Sequence, residues 1–138
     1  MKSTALFLVA LFAAGCSAQA DGPPAIQVDR TACARCTMLV SDERFAAAYQ
    51  TAAGESGVFD DIGCLLEAVR HEPQAETLRF WFHDAVTSQW IRGEEAVFVK
   101  SDRTRTPMGG GIVAYRESQD PAAIRSIREL LARSETGR

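Results

Sequence analysis

Three sulfur-bearing side chains fall within six residues in Cys33-Ala34-Arg35-Cys36-Thr37-Met38. Thiolates and thioethers are soft donors. They favour an ion such as Cu(I) over hard cations, and with only 2 His in the chain an open catalytic zinc site is disfavoured. A lone Cys-x-x-Cys is equally compatible with a structural disulfide, half of a zinc site or a thiol-exchange pair. The second Cys-x-x-Cys of a structural zinc site is missing from the sequence, and no thioredoxin-like strand-to-helix pattern surrounds this one. If the stretch is a strand, Cys36 and Met38 point to the same side and both sulfurs can reach one ion.

Other donors lie further along. Met108 sits in Thr106-Pro107-Met108-Gly109-Gly110-Gly111, with a rigid residue before it and flexible ones after. Core methionines normally occur inside periodic apolar runs, so this loop is expected to present the thioether outward; the alternative is that Met108 plugs a gap over the aromatic run Phe80 to Phe82. His83, followed by an Asp84 that could orient its ring, is a candidate nitrogen ligand or a structural histidine. Cys64, next to Leu65 at helical spacing, reads as a buried thiol rather than a ligand. His71 has no visible partner, and helix capping accounts for Asp60-Asp61. No Ser-His-Asp or Cys-His-Asn pattern is present, and the glycine run lacks the Lys-Ser/Thr of a phosphate loop, which excludes nucleotide binding.

The elements that must position these residues give an α+β reading. Arg44 to Gln50 and the Gly54 to Gly57 turn suggest a hairpin, and Asp60 is placed to cap a helix with Ile62, Leu65, Leu66 and Val69 on its apolar face. Leu78 to His83, Trp90-Ile91, Ala96 to Val99 and Gly111 to Tyr115 read as short strands. Asp120-Pro121 reads as the start of a last helix, with Ile124, Ile127, Leu130 and Leu131 on one side. A Met before a strand and then an Asp-capped helix occurs twice, around Met38 and Met108, as two similar β-β-α-β units would require.

Residues 1–16 read as an export signal, with a positive start, an apolar run from Ala5 to Ala14 too short to span a bilayer, and a lipobox-like Ala13-Ala14-Gly15-Cys16. Cys16 would carry the acyl chains of a lipid anchor, residues 17–25 would form a tether, and residues 26–134 the folded domain. Export to an oxidising compartment means that Cys33, Cys36 and Cys64 each need a reason to persist. The 138 residues carry 15 Lys+Arg against 18 Asp+Glu, a net charge of -3, with 46% hydrophobic residues. That is one small domain, or two very small ones sharing a core, without the basic stripe that nucleic acid requires.

Cys33 to Met38, Arg44-Phe45-Ala46-Ala47, Phe59-Asp60-Asp61-Ile62-Gly63-Cys64-Leu65, Trp90-Ile91 with Ala96, and Thr106-Pro107-Met108-Gly109 before Ala114 together resemble the NosL family, in the family's order. The resemblance implies a non-enzymatic copper chaperone of nitrous oxide reductase maturation. It would be lipid-anchored on the periplasmic face of a bacterial membrane, the outer one, and would pass Cu(I) to nitrous oxide reductase alongside an ABC-type transporter. It also implies two related β-β-α-β units similar to part of the organomercury lyase fold. The family's Cys-x-Met falls on Cys36 and Met38 and its Thr-Pro-Met on Met108, with Cys33 or His83 as an extra ligand. Thr37 departs from the glycine frequent there. The rival expectation is a thiol-disulfide or organomercurial-lyase-like enzyme using Cys33 and Cys36.

Overall fold

The structure, a computed structural model, describes residues 22–70 and 72–136. The signal segment, the anchor Cys16, the first part of the tether and His71 lie outside the described residues. A short 3-10 helix, Glu43–Phe45, leads into β1 (Ala47–Gln50), which pairs with β2 (Ser56–Phe59) as the expected hairpin. After α1 (Ile62–Val69) the chain returns as β3 (Arg79–His83) on the other side of β1, and β4 (Trp90–Arg92) adds to β3. The sheet order is β2-β1-β3-β4, antiparallel throughout. β5 (Val97–Lys100) and β6 (Ile112–Tyr115) form a separate two-stranded sheet, and α2 (Ile127–Thr136) closes the described chain.

Strand alternation decides what faces the core. Ala47, Phe59, Phe80, Phe82 and Ile91 join one buried cluster with Ile62, Leu65, Leu66 and Val69 of α1 and Ile127 and Leu130 of α2. Phe98 of β5 links the two sheets, its ring meeting that of Phe82 edge-on at 4.8 Å. The α+β class and the apolar face of the first helix match the sequence reading. Among the described residues no helix is long and apolar enough to cross a membrane.

Three expectations about the elements differ. β1-β2-α1-β3 does form a β-β-α-β unit, but β5-β6-α2 is not followed by a strand among the described residues, and β4 belongs to the first sheet. The cap of α1 is Asp61, not Asp60, and its side chain accepts from the Gly63 N–H. The last helix starts at Ile127 rather than Pro121. Asp120 only closes a turn onto the Ala122 N–H, and Ile124 pairs with Phe98 in an isolated bridge. Ser126 supplies the start signal, accepting from the Glu129 N–H while Glu129 accepts from the Arg125 N–H, so a Ser-x-x-Glu motif outcompetes Asp-Pro.

Candidate metal centre

Cys33 and Cys36 lie on a loop, not a strand. The Cys33 N–H donates to the Met38 carbonyl and the Thr37 N–H to the Cys33 carbonyl, and an Ala32–Leu39 bridge closes the base. Thr37 adopts φ +64°, a left-handed conformation that a β-branched residue enters only under strain. A glycine would sit there freely. The Ala34 N–H, bonded to the Val58 carbonyl, pins this loop to β2. Cys33 is therefore driven into the core at 1% exposure, Cys36 stays half-buried, and Met38 is 47% exposed.

Cys64 comes from the first turn of α1, where the apolar face that buries Leu65 also carries the thiol inward. Its sulfur meets the other two. The Sγ atoms of Cys33, Cys36 and Cys64 lie within 4.8 Å of one another, and all three cysteines are free thiols. Cys64 is thus a buried thiol, as its spacing suggested, but it belongs to the sulfur cluster from which the sequence reading had separated it. The one available signal was the expectation that, in a chain read as exported, every thiol needs a reason to persist.

The electrostatics of the three thiols differ. Burial pushes the Cys33 thiol up, but the backbone N–H groups of Cys36, Asp60 and Arg35, helped by the Cys36 side chain, bring it below the ordinary 9.0. Burial, followed by the charge of Cys33, drives Cys64 strongly the other way. The cluster thus sets a thiol that gives up its proton more readily than usual beside one that holds its proton until a cation displaces it.

Adjacent aspartates bind the parts together. Asp60, buried, accepts from the backbone N–H of Ser41 at 2.8 Å and from its hydroxyl at 3.2 Å, which anchors the segment just beyond Met38. Asp61, fully buried, accepts from Gly63 N–H through Oδ1 at 2.6 Å and from Met108 N–H through Oδ2 at 3.1 Å. One carboxylate therefore clamps the helix that carries Cys64 to the loop that carries Met108. Gly63 permits this approach, since a Cβ there would stand 2.8 Å from Oδ1. The Met108 loop is a turn closed by Gly109 N–H to the Thr106 carbonyl, with Pro107 setting its entry and Met108 45% exposed.

Cys36, Cys64, Asp61 and Met108 line one end of a groove of about 1000 Å³. The groove continues between α1 and α2 over Leu66, Ile112, Ile124 and Leu130. Met38 is not in its lining, although the loop that carries Cys36 also carries Met38. Low-coordinate binding of a soft cation is what this sulfur end can do chemically.

His83 is neither in the cluster nor in the groove lining. It faces away from Phe82, on the opposite side of the sheet, with its ring 3.9 Å from that of Trp90. Both ring nitrogens are buried without a hydrogen bond, and burial pushes its pKa down, partly offset by Glu43. Asp84 does not orient it: that carboxylate accepts from the Thr87 hydroxyl and the Arg116 N–H.

No family model and no curated protein matches the chain. Among solved structures, the crystal structure of the copper chaperone NosL from Shewanella denitrificans is similar, with a TM-score of 0.58 and 19% identity over 72% of this chain and 81% of that one. What the two share, on that likeness, is a fold.

Proposed function

We propose that this protein is a Cu(I) carrier, a metallochaperone rather than an enzyme. The observation that carries the reading is the convergence of three free thiols, two of which, Cys36 and Cys64, line an open groove together with Met108. Cys36, with Cys33 and Cys64, holds the ion. The exposed thioether of Met108, in the groove lining, completes the ligand set, and Met38 lies exposed on the Cys36 loop outside that lining. Thiolates secure the ion, and thioethers, which need no deprotonation, exchange readily with the donors of a recipient. His83 stays outside the ligand set because it lies across the sheet. The fold shared with a copper chaperone supports the reading.

The recipient we propose is nitrous oxide reductase, reached together with its ABC-type maturation transporter, from a periplasmic position held by a lipid anchor at Cys16 in the outer membrane. A thiol-disulfide or organomercurial-lyase-like enzyme would need its low-pKa thiol accessible, whereas Cys33 is almost wholly buried.

The test is an anaerobic Cu(I) titration of the reduced protein against a competing Cu(I) chelator, with Zn(II) as control. A single tight Cu(I) site that zinc does not occupy and that Cys36→Ser abolishes is expected; copper that fails to compete overturns the reading. Metallation of apo nitrous oxide reductase by the loaded protein, compared with an equal amount of chelated Cu(I), tests the recipient.

A further inference from the structure

The groove is far larger than one ion requires. Its volume of about 1000 Å³ lies at the upper end of the range typical of small-molecule sites, roughly 300–1,000 Å³. Its floor is apolar, and its charge runs against that of the chain. Arg35, Arg70, Lys100 and Arg133 line it, against Asp61, Glu67 and Asp102, on a protein whose net charge is -3. Two of the three acids are engaged inside the fold. Both Asp61 oxygens accept from backbone N–H groups, and Glu67 pairs with Arg70 at 2.6 Å. The same pairing engages Arg70, and Arg133 pairs with Glu129 at 2.6 Å, so what remains for a ligand is Arg35 and Lys100 above an apolar floor, with soft sulfur donors at one end.

We propose that the groove binds a small anionic thiol, which enters as a further sulfur donor to the Cu(I) held at its end. The inference rests on the copper reading above. A concave site of this kind fits a peptide-sized carboxylate-bearing thiol better than the flatter surface of a partner protein. The ligand's carboxylates face Arg35 and Lys100 and its chain lies over Leu66 and Ile124. Its sulfur reaches the ion beside Cys36 and displaces the Met108 thioether. As the new S–Cu(I) bond forms, the S–H proton passes to water. No electron moves, and copper stays Cu(I). The carrier would then receive and release copper as a thiolate complex.

The probe is glutathione. The full-length chain, reduced and anaerobic in mild detergent, is mixed with Cu(I) and glutathione and rapidly desalted, and copper, glutathione and protein are assayed in the retained fraction. The expected result is about one glutathione per bound copper, retained only when copper is present. Charge reversal by Lys100→Glu is expected to weaken glutathione retention roughly tenfold while Cu(I) affinity against the chelator is unchanged. Circular dichroism checks that the variant is folded, and Lys100→Gln, expected to give a smaller loss in the same direction, serves if it is not. Copper retained without glutathione overturns the proposal, as does glutathione retention indifferent to the charge reversal, or copper stripped from the protein by glutathione. Failure to retain copper under any condition overturns instead the carrier reading on which the proposal rests.

Discussion

Replacing Asp61 by Asn keeps size and shape but removes an acceptor. The native carboxylate serves two N–H groups, that of Gly63 at 2.6 Å and that of Met108 at 3.1 Å, in a site with no solvent exposure. An amide has one oxygen and an NH₂, so whichever way it turns, one backbone donor faces another donor and loses its partner. A buried hydrogen bond to a charged acceptor contributes about 1.5–3 kcal/mol. For a domain of this size, at about 4 °C per kcal/mol, the melting temperature should fall by roughly 6–12 °C. A second readout separates scaffold from site. The N–H at position 108 is backbone, so Met108→Ala retains it, and Asp61→Asn should destabilise the Met108→Ala protein by the same amount. Its effect on copper release should be smaller there, because part of that effect is the positioning of the Met108 thioether, the rest being the hold of the Gly63 N–H on the turn that carries Cys64. The assay is a double-mutant cycle in thermal unfolding and in the rate of Cu(I) release to a chelator. A melting point lowered by less than about 2 °C would refute the clamp. Release rates in which the two substitutions add independently would refute the positioning of Met108.

The remaining predictions concern the cysteine loop and its neighbours. Cys64→Ser should weaken Cu(I) binding at least roughly tenfold in a chelator competition, since it removes one of three convergent sulfurs; unchanged affinity in a folded variant would return Cys64 to the role of a core thiol. Thr37→Gly should stabilise the protein in urea by about 0.5–1 kcal/mol, the relief of a left-handed β-branched residue exceeding the added chain entropy, and a loss of stability would contradict the strain at φ +64°. Because Cys33 titrates below its unfolded value of 9.0, its contribution to apo stability is complete above pH 9.0 and is lost as pH falls through the folded value. Stability should therefore fall as pH drops through the window beneath 9.0, and Cys33→Ser should flatten that slope in pH-resolved unfolding. Cys64, held as a thiol, adds a proton to those released when copper binds, which buffered-indicator titration with and without Cys64→Ser would detect.

What could be read from the chain was local. The apolar spacing of Ile62, Leu65, Leu66 and Val69 specifies a helix with one buried face, the aromatic run before His83 specifies a strand, and the turn at Gly54 specifies a hairpin, because each rests on periodicity or turn chemistry within a few residues. Where a second local signal went unread, the boundary went astray. Asp120-Pro121 reads as a helix start, but the Ser126 motif is the one that starts α2, and the bridge between Ile124 and Phe98 commits the residues before it to pairing. The strand assumed for Cys36 and Met38 failed on the positive φ of Thr37, which the residue type does not announce.

The sequence alone narrowed the candidate donors to sulfur, since sulfur side chains close together, a methionine on a polar glycine loop and few histidines limit the set whatever the fold, while a metal site, a disulfide and thiol exchange stayed open. Tertiary structure decided which donors meet. The N-capped first turn of α1 swings Cys64 onto Cys33 and Cys36, 28 positions from the nearer of them. A carboxylate 47 positions from Met108 ties the thioether loop to that helix, and alternation along β3 sends His83 to the far side of the sheet. Each outcome depends on how separate elements pack around a shared core, and the energies that choose the packing arise only between residues distant in the chain.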